Sequence, residues 1–128
     1  MQKIPRIGLI SLGCAKNLVD TERLTSVLIA KGYQIEANYE DCDLIVVNTC
    51  GFISPAVEES LEAIGQAVSY APKVIVTGCL GAKAQLILKE YPQVAAVYGP
   101  GTRASVLRGI RTLIGEPPQE AVQHVNPS

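Results

Sequence analysis

The chain has 128 residues and four cysteines, at positions 14, 42, 50 and 79. Three of them share a setting. Cys14 in "LISLGCAKN", Cys50 in "VVNTCGFI" and Cys79 in "VIVTGCLGA" each end an apolar run and stand next to a glycine. They lie 36 and 29 residues apart (50 − 14 and 79 − 50), so no compact ligand motif joins them and only a fold can. Three thiolates brought together suit a zinc ion with an open position, or a cubane iron–sulfur cluster with one iron lacking a protein ligand. The plainer alternative for any one of them is a small buried hydrophobe at a strand end. In a secreted mini-protein, four cysteines would read as two disulfides. Here 48% of residues are hydrophobic, enough for a core without staples, so metal or redox chemistry is the better reading.

The elements that must position these thiols follow from periodicity. "RIGLISLG" (6–13), "DLIVVNT" (43–49) and "KVIVTG" (73–78) are short apolar runs of the kind found in buried parallel strands. "YQIEAN" (33–38) alternates as an edge strand, and "VAAVYG" (94–99) reads as a last, weaker one. Between them lie helical patterns. The first covers 17–32, with Asn17 as N-cap and Gly32 as its C′ stop; the second starts at a Ser54 cap with Pro55 in its first turn and runs to about Ser69. The third covers 82–91, stopped by Pro92, and the last covers 103–114, capped by Thr102 and closed by Gly115. Five strands interleaved with four helices predict an α/β protein: a five-stranded parallel sheet in a Rossmann- or flavodoxin-like three-layer sandwich. Right-handed crossovers and a crevice between the first and third strands give the order 2-1-3-4-5. Residues 1–115 form the domain, and the Pro-rich polar segment 116–128 is expected to be a linker.

In such a sheet every strand's carboxyl end points to one edge, where sites form. Cys14, Cys50 and Cys79 follow the first, third and fourth strands and are expected to converge there. Cys42 precedes the third strand. Eight extended residues separate it from Cys50, roughly 25 Å, which puts it at the opposite edge as a bystander. Helix N-termini close behind each cysteine would favour an anionic centre, and Gly13, Gly51, Gly78 and Gly81 would let the backbone turn tightly around it. Lys16 would add a positive charge or simply be solvated. Asn48 and Thr49 are read as satisfying backbone groups at the strand end, and His124 in the tail as inert.

Net charge is −1 with 11 scattered basic residues, which argues against direct nucleic-acid binding by this domain. No apolar stretch is long enough to span a bilayer and no signal peptide precedes the first strand, so a cytoplasmic protein is expected. A receiver domain would place acidic residues at the strand ends. A nucleotide binder would need a glycine-rich phosphate loop, which "SLGCAKN" is not. A flavodoxin-like binding module with a structural zinc site remains the competing reading of the residues alone.

The segments "SLGCAKNLVDTE", "VVNTCGFI" and "VTGCLGA" resemble, in order and separation, the three cysteine segments of the methylthiotransferases of the radical S-adenosylmethionine class. The resemblance covers nearly all of residues 1–115. The wording is most like the branch that modifies an aspartate of a small-subunit ribosomal protein, rather than the tRNA-modifying branch, although Ala15 stands where that branch commonly has Pro. The resemblance implies that Cys14, Cys50 and Cys79 hold an auxiliary 4Fe–4S cluster that carries the sulfur to be transferred. It also implies a partner domain in cis with a C-x-x-x-C-x-x-C loop, a second 4Fe–4S cluster and S-adenosylmethionine, and a small C-terminal β domain that helps bind substrate. The four cysteines here leave none for that loop. This chain is therefore expected to be an enzyme fragment that does not complete the reaction alone.

Overall fold

The computed structural model describes residues 4–13, 15–49, 54–99, 101 and 103–117. Five strands form one sheet: β1 (Arg6–Ser11), β2 (Gln34–Ile35), β3 (Leu44–Thr49), β4 (Lys73–Gly78) and β5 (Ala96–Val97). All pairings are parallel and the order is β2-β1-β3-β4-β5, as expected. The helices are α1 (Ala15–Ala30), α2 (Ser54–Tyr70), α3 (Ala84–Glu90) and α4 (Arg103–Ile114).

The central strands are apolar without interruption because both of their faces are covered. Successive side chains point to opposite faces. Leu44, Val46 and Ile75 pack with Leu24 and Leu28 of α1 and Val106 and Ile110 of α4. Ile45, Val47, Val74 and Val76 pack with Ile64 and Ala67 of α2 and Ile87 of α3. Each large aliphatic side chain buried this way contributes about 1.5–3 kcal/mol. The edge strands β2 and β5 are two residues each, shorter than their sequence patterns, which leaves little unpaired backbone for another chain. No helix among the described residues is long and apolar enough to cross a membrane.

Helix ends depart from the sequence reading in three places. α1 begins at Ala15, so Asn17 lies inside its first turn and is not its N-cap. The expected helix at 82–91 is a 3-10 turn over Cys79–Lys83 followed by α3 from Ala84. α2 already includes Ser54. The C′ glycines hold: Gly32 and Gly115 have φ of +95° and +79°. The expected Thr102 cap and the tail 118–128, with His124, lie outside the described residues.

Candidate functional site: the carboxyl edge of the sheet

β1, β3 and β4 are neighbours, and their last residues are aligned. Ser11 pairs with Asn48, Asn48 with Thr77, and Thr49 with Gly78. Three loops therefore leave one edge side by side, between β1 and α1, after β3, and after β4. This is also the switch point of the topology, where open α/β sheets hold their ligands.

A polar clamp fixes that edge. Asn17 is buried, and its Nδ2 donates to Leu12 O (2.9 Å) and Thr49 O (2.6 Å). Asn48 Nδ2 returns the contact, donating to Asn17 O (3.2 Å) and to Thr21 Oγ1 (3.1 Å). Fully buried Thr49 donates its hydroxyl to Thr77 O (2.8 Å) and accepts from Leu80 N (3.0 Å). The first turn of α1 is thus tied to β3, and β3 to β4 and the turn after it. Strand-end carbonyls that would repel an anion are occupied by amide and hydroxyl protons instead. Asn48 and Thr49 serve backbone groups as expected. Asn17, Thr21 and Thr77 were not anticipated in this role; a clamp between segments some 30 residues apart has no local sequence signal.

Gly78 makes the turn at the end of β4 possible. Its φ of +94° and ψ of −163° suit glycine alone, and a Cβ would overlap Thr49 O and come within 2.6 Å of Asn48 Oδ1. Gly13, the residue before Cys14, has φ of +87°. Gly51 lies outside the described residues, as does the side chain of Lys16.

Cys79 opens the 3-10 turn after β4 and is a half-buried thiol without a disulfide. The expected helix N-terminus close behind it is absent, since α3 starts five residues later at Ala84. Cys14 and Cys50 lie outside the described residues, so the expected convergence of three thiols falls largely on positions the structure does not describe. In the chain, Cys50 directly follows Thr49, and Cys79 directly follows its register partner Gly78. Among the described residues no three His, Cys, Asp or Glu side chains gather as a metal site.

Cys42 is at the other edge, as expected, one residue before Asp43, whose N–H bonds Arg6 O at the start of β1 (2.8 Å). It is 4% exposed. Gly8 makes room for it, since a Cβ there would sit 2.8 Å from its Sγ. Burial pushes the thiol up to about 11, helped by the carboxylates of Glu36, Asp43 and Asp41 and opposed by Arg6. Its Sγ lies 3.6 Å from Asn38 O and 3.8 Å from Glu36 O, to which the thiol donates weakly. It is a protonated core residue at neutral pH.

Similarity to known proteins agrees with the resemblance of the cysteine segments. A protein from Aromatoleum aromaticum named ribosomal protein uS12 methylthiotransferase RimO is 52% identical over 116 residues, 91% of this chain and 26% of the relative. Proteins of the same name from Nitrosomonas eutropha and Francisella tularensis subsp. novicida are 54% and 48% identical, over 89% and 88% of this chain and 26% of each relative. The chain spans about a quarter of the length of these relatives. A family model matches residues 6–99, most of the chain and all five strands of the sheet, and on that match the chain belongs to Uncharacterized protein family UPF0004.

Proposed function

We propose that this chain is the cluster-holding domain of a methylthiotransferase that acts on ribosomal protein uS12, with Cys14, Cys50 and Cys79 as the three protein ligands of an auxiliary 4Fe–4S centre. One observation carries the reading. The strand ends that precede Cys50 and Cys79 are register partners, and β1, which leads to Cys14, is the next strand in the sheet. The donor chemistry fits. Three thiolates leave one iron open to an outside sulfur, and the clamp has already tied up the carbonyls of Leu12 and Thr49 that would face the anion. When bound, the centre supplies an iron site for the sulfur that is transferred.

The chain's own residues do the holding. Asn17 fixes the β1–α1 loop against the end of β3, Thr49 fixes the turn that carries Cys79, and Gly78 lets that turn pass close to β3. Residues 1–115 form the domain, and 116–128 lead toward a further domain that binds S-adenosylmethionine and a second cluster. The substrate and the reaction come from the names of relatives of which the matched residues make up only 26%, so the 128-residue chain alone is expected to carry the centre and not the activity. Anaerobic reconstitution with iron and sulfide tests this. The expected product has a 4Fe–4S stoichiometry and broad sulfur-to-iron charge-transfer absorption in the visible. Uptake of a single tightly held zinc ion in preference to iron and sulfide would overturn it.

A further inference from the structure

Helix α4 ends at the amino edge of the sheet, and its exit is fixed there. Lys73 Nζ donates to Leu113 O, Tyr33 Oη donates to Gly115 O (2.7 Å), and Gly115 turns the chain with a φ of +79°. Lys73 begins β4 and Tyr33 directly precedes β2, so both mark the amino edge. The cysteine loops leave from the other edge. The linker 116–128 therefore starts on the wrong side of the domain for a partner that must meet those cysteines. The 12 residues of α4 measure about 18 Å along the helix axis, close to the depth of the sheet. Residues 118–128, extended as their proline-rich start favours, span about 34 Å. The segment is long enough to return.

A route back lies open beside α4. A groove of about 430 Å³ runs between α4 and β5, the last strand of the sheet, over Ala95, Ala96, Tyr98, Arg108, Gly109 and Thr112. Gly109 lets Tyr98 approach the helix, since a Cβ there would fall 2.5 Å from the Tyr98 hydroxyl. Charge matches as well. α4 carries Arg103, Arg108 and Arg111 and no acidic residue. The linker carries Glu116 and Glu120 and neither Lys nor Arg. Glu116 already folds back onto Arg111 (3.6 Å). That exposed pair is worth little by itself, but it sets the direction. Arg108 is one turn further back, in the groove, and among the described residues it reaches only the Ser105 hydroxyl (3.3 Å). Four extended residues carry the chain about 12 Å, which brings Glu120 within reach of Arg108. Proline-type extended backbone repeats every three residues, so Val122 and Val125 face the same way.

We infer that residues 118–128 dock in the groove between α4 and β5, with Glu120 on Arg108 and with Val122 and Val125 over Ala95 and Ala96. The docked segment leads the chain back to the carboxyl edge. Tethering at Gly115 holds it at a local concentration in the millimolar range (about that for a short linker), so weak contacts suffice. The docking itself needs no metal. That it serves a partner domain at the cysteine edge rests on the three-cysteine reading above.

The test is NMR on the metal-free 128-residue chain. Amides of the linker should have order parameters near those of rigid backbone, about 0.8, and the methyls of Val122 and Val125 should show cross-peaks to Ala95 and Ala96. R108E should release the segment, with order parameters falling below about 0.6 and the signals of the sheet unchanged. The charge-swapped pair R108E/E120R should restore both the order and the cross-peaks. A linker that is flexible in the wild type, or that contacts another face, overturns the inference. So does an R108E variant whose linker stays in the groove, or a swapped pair that fails to restore it. Contacts that fade on dilution would put the linker on a second copy of the chain and overturn it too. Reconstitution is read separately: a chain that takes up no iron and sulfide while the cross-peaks persist overturns the three-cysteine reading and leaves the docking standing.

Discussion

The two edges of the sheet each hold a cysteine that the structure describes, and they treat it in opposite ways. At the amino edge, Cys42 is packed under Tyr39 and over Gly8, its thiol pushed up to about 11. Nearby side chains close that end: Arg6 N bonds Asp43 Oδ2 (2.9 Å), Lys73 Nζ bonds Leu113 O, and Tyr33 Oη bonds Gly115 O (2.7 Å). At the carboxyl edge, Cys79 is half-exposed on a tight turn, and the buried polar groups below it brace strand ends against one another. One edge is sealed by packing. The other is held by hydrogen bonds between strand ends, and its described thiol stays half-exposed. Burial, not residue type, decides which thiol is available to a metal.

The largest expected effect breaks the comparison outright. Changing Cys14, Cys50 or Cys79 to Ala removes one of three thiolates, and iron retained after reconstitution should collapse in each case. Cys42→Ala should retain it at the wild-type level and cost about 1 kcal/mol of stability in denaturant titration, the usual order for a small buried side chain. If Cys42→Ala lost iron as fully as the other three, the division between the edges would fail.

Gly78→Ala should come next. The side chain has no room and the backbone conformation suits glycine alone, so a loss of about 3 kcal/mol or more is expected, read as a lower urea midpoint at unchanged slope. Asn17→Ala should cost about 2 kcal/mol, because it leaves Leu12 O and the buried Thr49 O without their donor. Read as an exposed cap, Asn17 would cost only about 1 kcal/mol. The variant should also load iron less completely, since it frees the β1–α1 loop, and full loading would argue that the clamp serves the fold alone.

The smallest effect sharpens the contrast by pH. The Cys42 thiol is raised in the folded state from an ordinary value of 9.0, so the native protein binds that proton more tightly than the unfolded chain. Its contribution to stability is complete below pH 9 and is lost as the pH rises through about 11. Tyr33 is also raised, by burial and by Glu116 and against Arg111, and falls off in the same direction. The difference between wild type and Cys42→Ala isolates the cysteine: the wild type should lose more stability between pH 9 and 11. In the metal-free protein, a small alkylating reagent at pH 8 should modify Cys79 and spare Cys42. Equal labelling would show that the amino edge opens.

The sequence by itself determined the layer plan and the edge of the sheet at which Cys42 and Cys79 fall. Continuous apolar runs at 44–47 and 74–76 need cover on two faces, and parallel strands joined by right-handed crossovers leave few orders; the structure has the one expected. Cys42 precedes β3, so its edge followed from chain direction. What only the tertiary structure decided is the clamp. Asn17 has the local signature of an N-cap because a short polar side chain before an apolar helix satisfies free N–H groups. The end of β3 lies 32 residues away in sequence but beside it in space, and bonding to Thr49 O there took precedence. The 3-10 turn at Cys79 and the brevity of β2 and β5 are of the same kind. Each depends on which backbone groups a neighbouring element leaves to be satisfied, and periodicity carries no record of neighbours distant in the chain.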